Sequence, residues 1–312
     1  MEEQKPIVEI AAATLPPRTV VLKNAGEFLN ESLEIFKQHY RTLLSISAII
    51  MAPSILFSVF SEKSVLASVT KTFGSYAAIL FGTVLVILYV IISSWGQIAL
   101  MYAVKDREKS VDISQAFALA WHKIGSYWWV ALLSGFLVLG GFILFIIPGF
   151  LFALWFCLSS FVLVAEEEKG MNALLKSREY MRGKAWPTLW RFLVLFFSIV
   201  LFALLPGIFF GGLPEPWNGV ITQGVFSFFV VPFNVVYMYL LYRNLVEIKG
   251  EFTFAPEKKT KRIFTAIGWL GILLPICLVI LVGWLVSIGR LNIPQPPANI
   301  NFSTTTVSSV KL

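Results

Sequence analysis

Seven stretches of this chain contain no Asp, Glu, Lys or Arg: residues 42–60, 76–104, 125–147, 150–165, 192–213, 220–242 and 263–289. Most are as long as the ~20 apolar residues that carry a helix across a bilayer. Backbone groups in lipid must pair within their own segment, so each run is expected to be a membrane-spanning helix. Composition agrees: 57% of the residues are hydrophobic and only 14% are charged, where soluble domains carry roughly 25% charged residues. The expected fold is therefore an all-α polytopic helical bundle with about seven spans. The run 150–165 is the shortest, about 24 Å at 1.5 Å per residue, and is expected to draw on Pro148 and Glu166 for its ends. Pro148-Gly149 is read as a tight hairpin between the third and fourth spans, and Pro206-Gly207 as the end of the fifth.

Basic residues set an orientation. With the N-terminus in the cytoplasm, only Lys63, Lys71, Arg290 and Lys311 of the 25 Lys and Arg residues fall on the far side. This predicts a plasma-membrane protein with its N-terminus inside and its C-terminus outside. The first residues lack a long apolar core and carry Glu2 and Glu3, which argues against a cleaved signal peptide. Residues 1–23 are expected to be a disordered cytosolic tail. Because topology accounts for the net charge of +7, nucleic-acid binding is not expected. Cys157 and Cys277 sit inside apolar runs without metal or redox spacing and read as small core- or lipid-facing residues.

The polar interruptions repeat. Residues 24–40 align with 112–128 at an offset of 88. Asn24 meets Asp112 as a helix N-cap, and Glu27 meets Gln115 where a capping box places Glu or Gln. Ala25, Phe28, Leu29, Ser32, Leu33 and Phe36 match Ile113, Ala116, Phe117, Ala120, Trp121 and Ile124, the stripe of an amphipathic helix. Tyr40 and Trp128 follow as aromatic anchors. A second offset, 58, sets Trp128 on Trp186 and Pro148-Gly149 on Pro206-Gly207. The unit is an interfacial helix, an anchor and two spans, in copies 24–111, 112–169 and 170–250. A basic loop with a seventh span (251–289) and a polar tail (290–312) complete the organisation. Copy one departs from the pattern: Phe60 stands where the Pro is expected, followed by the polar link "SEKSVLASVTKTFGS".

Three segments carry a resemblance. Ile147-Pro148-Gly149, the acidic junction Glu166–Gly170, and Ala173-Leu174 with Ser177, Met181, Gly183 and Lys184 occur in that order. This pattern resembles the membrane domain attached to some bacterial glycerophosphoryl diester phosphodiesterases, and related stand-alone bacterial membrane proteins, over roughly residues 24–250. The resemblance implies a multi-pass membrane module linked to lipids. In the fused relatives the phosphodiesterase activity belongs to a separate soluble barrel. Only a short tail follows the last apolar run of this chain, so that barrel and its activity are not expected.

Reading the residues for chemistry leads the same way. No H-E-x-x-H, G-x-S-x-G or P-loop pattern is present, and no catalytic residue, metal site or cofactor is expected. His39 and His122 lack a His or carboxylate partner at ligand spacing. The runs hold no ionisable groups of the kind that ion-coupled transport uses. Gln97, Gln223 and Asn234 read as helix-to-helix hydrogen-bonding groups. Pro53, Pro232 and Pro275 should kink their helices.

The stretch "NALLKSREYMRGKAW", residues 172–186, is the third interfacial helix. At the repeat offset, Arg178, Glu179 and Arg182 fall on the buried stripe and would form an inward anion site. With the helix rotated by one position, Ala173, Leu174, Ser177, Tyr180 and Met181 form the apolar face, and Arg178 and Arg182 flank it at i and i+4. Either way Arg178, Arg182 and Lys184 reach lipid phosphates, which the planar fork of Arg fits. Glu166, Glu167 and Glu168 read as carboxylates at a helix N-terminus. "EKKTKRIF" reads as a juxtamembrane basic cluster. The expected function is a non-enzymatic, lipid-associated or membrane-organising module whose partners are membrane lipids, with anionic headgroups on the cytoplasmic side. The alternative is a transporter or channel for a small or amphipathic solute.

Overall fold

Runs without charge become helices, and the residues between them decide where each helix starts. The computed structural model describes residues 21–60, 63–107, 112–210, 212, 221–222, 224–250, 252 and 256–288. Among the described residues there are eleven α-helices and no strand. They are α1 (Ala25–Phe60), α2 (Lys63–Phe73), α3 (Ser75–Lys105), α4 (Ile113–Trp121), α5 (Ile124–Leu144), α6 (Ile146–Phe156), α7 (Ser159–Glu166), α8 (Met171–Met181) and α9 (Ala185–Phe210). A π-helical turn, Phe226–Val230, leads into α10 (Val231–Lys249), and α11 spans Lys258–Ser287. Expected segments 1–20 and 290–312, and Gln223, lie outside the described residues.

Six segments are long and apolar enough to cross a membrane: Ser75–Lys105, Ile124–Leu144, Ile146–Glu166, Ala185–Leu205, Phe228–Lys249 and Lys258–Leu285. The chain is an all-α, multi-pass integral membrane protein. The expected first span, 42–60, is the second half of α1, and its apolar portion Tyr40–Pro53 is shorter than the six. At His39 (φ −114°, ψ 20°) α1 breaks between its amphipathic and apolar halves.

Several expectations are corrected. The turn between α5 and α6 is Phe145 alone, extended at φ −164° and ψ 157°. Pro148 and Gly149 lie inside the first turn of α6, where a missing N–H breaks no helical bond. The fourth span consequently runs from Ile146 to Glu166, about 31 Å at 1.5 Å per residue. Pro206-Gly207 likewise falls within α9 and does not end it. That helix starts at Ala185 and includes Arg191, and the span formed with α10 includes Arg243 and Glu247. Spans therefore extend past their charge-free cores by a turn or two. Much of the "SEKSVLASVTKTFGS" link is helix α2. The N-cap bond of copy one runs from the Asn24 N–H to Glu27 Oε2 at 2.9 Å, whereas Asp112 caps α4 by position without a side-chain bond.

Burial concentrates at one end of the bundle. Ile98–Val104 of α3, Phe161–Val164 of α7, Ala173–Ser177 of α8 and much of α10 from Val235 to Leu245 are buried there. By contrast α3 before Tyr89, the outer face of α9 and most of α11 expose Ile, Leu, Val and Phe, as lipid contact requires. Trp95 of α3 donates from Nε1 to the Phe117 carbonyl at 2.8 Å and packs edge-on against Phe117 and Trp121, which docks α4. Tyr127 donates to Gln97 Oε1 at 2.9 Å, so Gln97 joins α3 to α5. Glycine makes the closest approach: a Cβ on Gly271 of α11 would overlap the Phe136 carbonyl oxygen, and one on Gly140 of α5 would overlap the Ile267 carbonyl oxygen. The seventh predicted span is thus seated on α5 by backbone-to-backbone contact.

Candidate functional site

The acidic junction is built by a change of backbone hand. α7 ends at Glu166, and Glu167 adopts φ 60° and ψ 13°, the left-handed conformation that closes many helices. Gly170 follows at φ 55°, with Trp129 Nε1 only 3.3 Å from where its Cβ would stand. This reversal sends neighbouring carboxylates in different directions. Glu167 turns outward and accepts a bond from Lys123 at 3.1 Å. Glu166 and Glu168 turn back onto Lys176 of α8, at 2.5 Å and 3.7 Å. The expectation of three carboxylates serving one helix dipole is thereby corrected.

Lys176 is only 6% exposed. A lysine buried to that degree keeps its charge only with close partners. Glu166 supplies one, and its other oxygen accepts from the Tyr242 hydroxyl of α10 at 2.6 Å. The Lys176 ammonium also lies 5.6 Å from the Phe252 ring centroid, a cation–π distance. Ser177 donates to the Trp155 carbonyl at 2.6 Å, an acceptor beside the break between α6 and α7 at Cys157-Leu158. The interruption of one helix thus seats the next.

Of the predicted site residues, Arg178 is half-buried, its guanidinium carbon 4.8 Å from the Trp155 ring centroid and 5.1 Å from that of Phe264. Arg182 lies beyond the last residue of α8, extended at ψ 125°, with its side chain 74% exposed and 3.6 Å from Glu179. Gly183 at φ 78° then redirects the chain, and Lys184 is half-buried before α9. Ala173, Leu174, Ser177, Tyr180 and Met181 are buried, the face expected of the rotated helix. The inward anion site is corrected, because Arg182 faces outward. So is the i, i+4 placement of the two arginines on one helix, because α8 ends between them. Arg178 and Arg182 do share a cavity of about 410 Å³ with Leu175, Glu179, Pro256, Glu257 and Thr260. Lys184 does not line it.

A larger chamber, about 990 Å³, opens beside Lys176 between the ends of α3, α7 and α10. Lys105, Asp106, Glu166, Glu168, Lys176, Tyr239, Tyr242, Arg243, Glu247 and Phe252 are among its lining residues. Tyr239, Tyr242, Arg243, Val246, Glu247 and Gly250 form one stripe along the last turns of α10. The stripe is present in the sequence as spacing, but sequence reasoning misses it because the charge-free run stops at Tyr242. Lys105 donates to the Val164 carbonyl at 3.1 Å.

At the same end, Arg191 is 8% exposed. It donates to the carbonyls of Lys23 at 2.7 Å, Leu22 at 3.0 Å and Pro187 at 2.6 Å. The Lys23 N–H donates to Asn244 Oδ1 at 3.2 Å. Leu22 and Lys23 are consequently docked, where the sequence predicts a loose tail. Outside the spans, the hydrogen bond from Lys123 and its charge hold the Glu167 carboxyl below its ordinary value of 4.5. His39 and His122 each place Nδ1 at the carbonyl four residues back, at 3.3 Å and 3.0 Å. Cys157 is half-buried and Cys277 exposed on α11.

No family model, curated protein or solved structure matches this chain.

Proposed function

We propose that this integral membrane protein is a lipid-associated module that holds phospholipid headgroups at the charged end of its bundle and catalyses no reaction. The observation that carries this reading is the cavity at the end of α8, where Arg178 and Arg182 stand together at the charged end of the bundle, with Glu179 and Glu257 beside them. Arg178 is held by two aromatic faces, Trp155 and Phe264. Its fork is thereby preorganised, which lowers the ordering cost of binding a phosphate. Arg182 adds a second charge, and Lys184 lies two residues further on. The bias of basic residues toward this end supports placing it at the cytoplasmic face of the plasma membrane, with anionic headgroups as partners. The ordered run from Pro148 through Lys184 supports kinship with the membrane domain of the glycerophosphoryl diester phosphodiesterases, and the recurrence of an amphipathic segment ahead of an apolar helix, in α1 before His39, in α4 and in α8, supports a repeat origin.

A conduit for a solute calls for a polar cavity at a Pro-kinked helix. The groove beside the π turn and Pro232 is lined by Leu29, Leu33, Phe36, Ile199, Phe202 and Phe229, and the polar chamber lies at helix ends instead. Lipid association is therefore the better supported of the two.

Native mass spectrometry of gently extracted protein tests it. Wild type is expected to retain anionic phospholipids, and Arg178→Gln with Arg182→Gln to lose most of them. Equal, unselective lipid in both forms would sink the headgroup reading.

A further inference from the structure

The chamber beside Lys176 carries charges of both signs on residues separate from those of the arginine cavity. Three cationic residues, Lys105, Lys176 and Arg243, line it with four acidic ones, Asp106, Glu166, Glu168 and Glu247. A net anion would meet an excess of carboxylates. A bare cation would compete with Lys176, whose ammonium already lies 2.5 Å from Glu166. The inner charges are satisfied by one another: Glu166 is engaged by Lys176 and the Tyr242 hydroxyl. The rim is different. Arg243 and Glu247 are exposed and stand one turn apart on α10, so the hydrogen bond of Arg243 to Tyr239 and its attraction to Glu247 lie within reach of a ligand. One helical turn rises ~5.4 Å, so a guanidinium and a carboxylate are presented on one helix face, a pairing that suits a ligand with a phosphate at one end and an ammonium at the other. Lys105 contributes a second cation, and Glu168 a second carboxylate at 3.7 Å from Lys176, beyond hydrogen-bond length. Tyr239 and Phe252 already hold cations at their rings, Arg107 at 6.0 Å and Lys176 at 5.6 Å, which marks the chamber as a place where aromatic faces meet positive charge.

We propose that this chamber is a second headgroup site, selective for zwitterionic phospho-ammonium lipids such as phosphatidylethanolamine. Arg243 and Lys105 take the phosphate, and Glu247 with Glu168 takes the ammonium. The chamber lies at the ends of membrane-crossing helices, where bilayer headgroups are the most concentrated molecules of this chemistry. The source is thus membrane lipid, not a soluble phosphoamine. The inference shares with the proposed function only the premise that this end meets headgroups, and uses different residues.

The test is lipid retention in nanodiscs of equal phosphatidylethanolamine and phosphatidylglycerol, read by native mass spectrometry. Wild type, Glu247→Gln, and the double variant Lys105→Gln with Arg243→Gln are compared, with thermal unfolding as the control for folding. Wild type is expected to enrich phosphatidylethanolamine several-fold, and both variants to lose that enrichment. Because Glu247 is exposed, Glu247→Gln should melt as wild type does, while the double variant, which also loses the Lys105 bond to the Val164 carbonyl, should melt slightly lower; the charge reversal Glu247→Lys, expected to turn the preference toward phosphatidylglycerol, gives an independent readout. Unchanged enrichment in the variants, or a wild-type preference for phosphatidylglycerol, overturns the proposal while leaving the arginine cavity to its own test. Tight binding of soluble O-phosphoethanolamine to the detergent-purified protein, undiminished by added lipid, overturns the assignment to a membrane lipid.

Discussion

Two parts of this molecule are held together by opposite means. Where α5 meets α11, side chains are removed: Gly140 and Gly271 let one backbone rest on the other. Where α7, α8 and α10 meet, side chains are matched: Lys176, Glu166 and Tyr242 form a buried charged chain of contacts. Lipid surrounds the first contact and offers no hydrophobic drive between helices, so close approach and dispersion must supply the attachment. The second lies at the bundle end, where charges reside and burial has to be compensated by pairing. The glycine contact tolerates no added atom, and the ionic one tolerates no missing partner.

The largest effect is expected from filling the glycine crossing. Gly271→Leu drives its Cβ into the Phe136 carbonyl oxygen and to 2.9 Å from the Gly140 nitrogen, and backbone atoms have nowhere to retreat. Detachment of α11 should lower stability by about 3 kcal/mol or more, read as a drop in the melting temperature and earlier aggregation on size exclusion in detergent. Gly268→Ala is the matched control, because its nearest neighbour is Leu137 Cδ2 at 3.7 Å. It should be neutral or slightly stabilising. Similar melting of the two variants would break the distinction between crossing and non-crossing glycines.

Next comes the ionic contact. Lys176→Met removes a charge but leaves Glu166 half-buried and Glu168 beside it, a loss of roughly 3–5 kcal/mol for a buried pair. Adding Glu166→Gln removes the orphaned carboxylate, while its amide can still meet the Tyr242 hydroxyl. The double variant should regain a large part of the loss, as chemical denaturation in a fixed micelle would show. If the second substitution deepens the loss, the pair is not what stabilises this end.

The two regions also differ in how far they can be read from sequence. Runs without charge announce spans because lipid makes the same demand of every residue in them, and the bundle follows directly. The ends of those runs do not mark the ends of helices: Arg191 and Arg243 are carried within spans because one docks carbonyls and the other faces the chamber. Pro148-Gly149 has the composition of a turn, yet Phe145 makes it, since Pro suits the first helical turn and Gly149 fits under the Phe142 ring. The buried face of α8 is legible as spacing. Its lysine is not, because pairing with Glu166 and Glu168 depends on the left-handed Glu167 between them. Bulk pattern reports what lipid selects; a side chain's partner is set by a backbone turn that composition does not reveal.

That same turn allows the gentlest comparison, between the buried pair and its exposed neighbour. Glu167 is exposed, so its bond to Lys123 contributes little to stability, but it leaves a titration signature. The Lys123 hydrogen bond is the first cause of the lowered carboxyl pKa, and the charges of Lys123, Lys105 and Lys169 add to it. A carboxyl whose folded pKa lies below its ordinary 4.5 stabilises the folded state above that value. The contribution is lost as pH falls through the folded pKa. In Lys123→Gln the Glu167 titration, followed by carboxyl NMR in micelles, should move back toward 4.5 without reaching it, because Lys105 and Lys169 remain. An unchanged midpoint would mean that Lys123 does not hold Glu167. The αL turn would then have to be fixed from its other side, by the ion pairs of Glu166 and Glu168 alone.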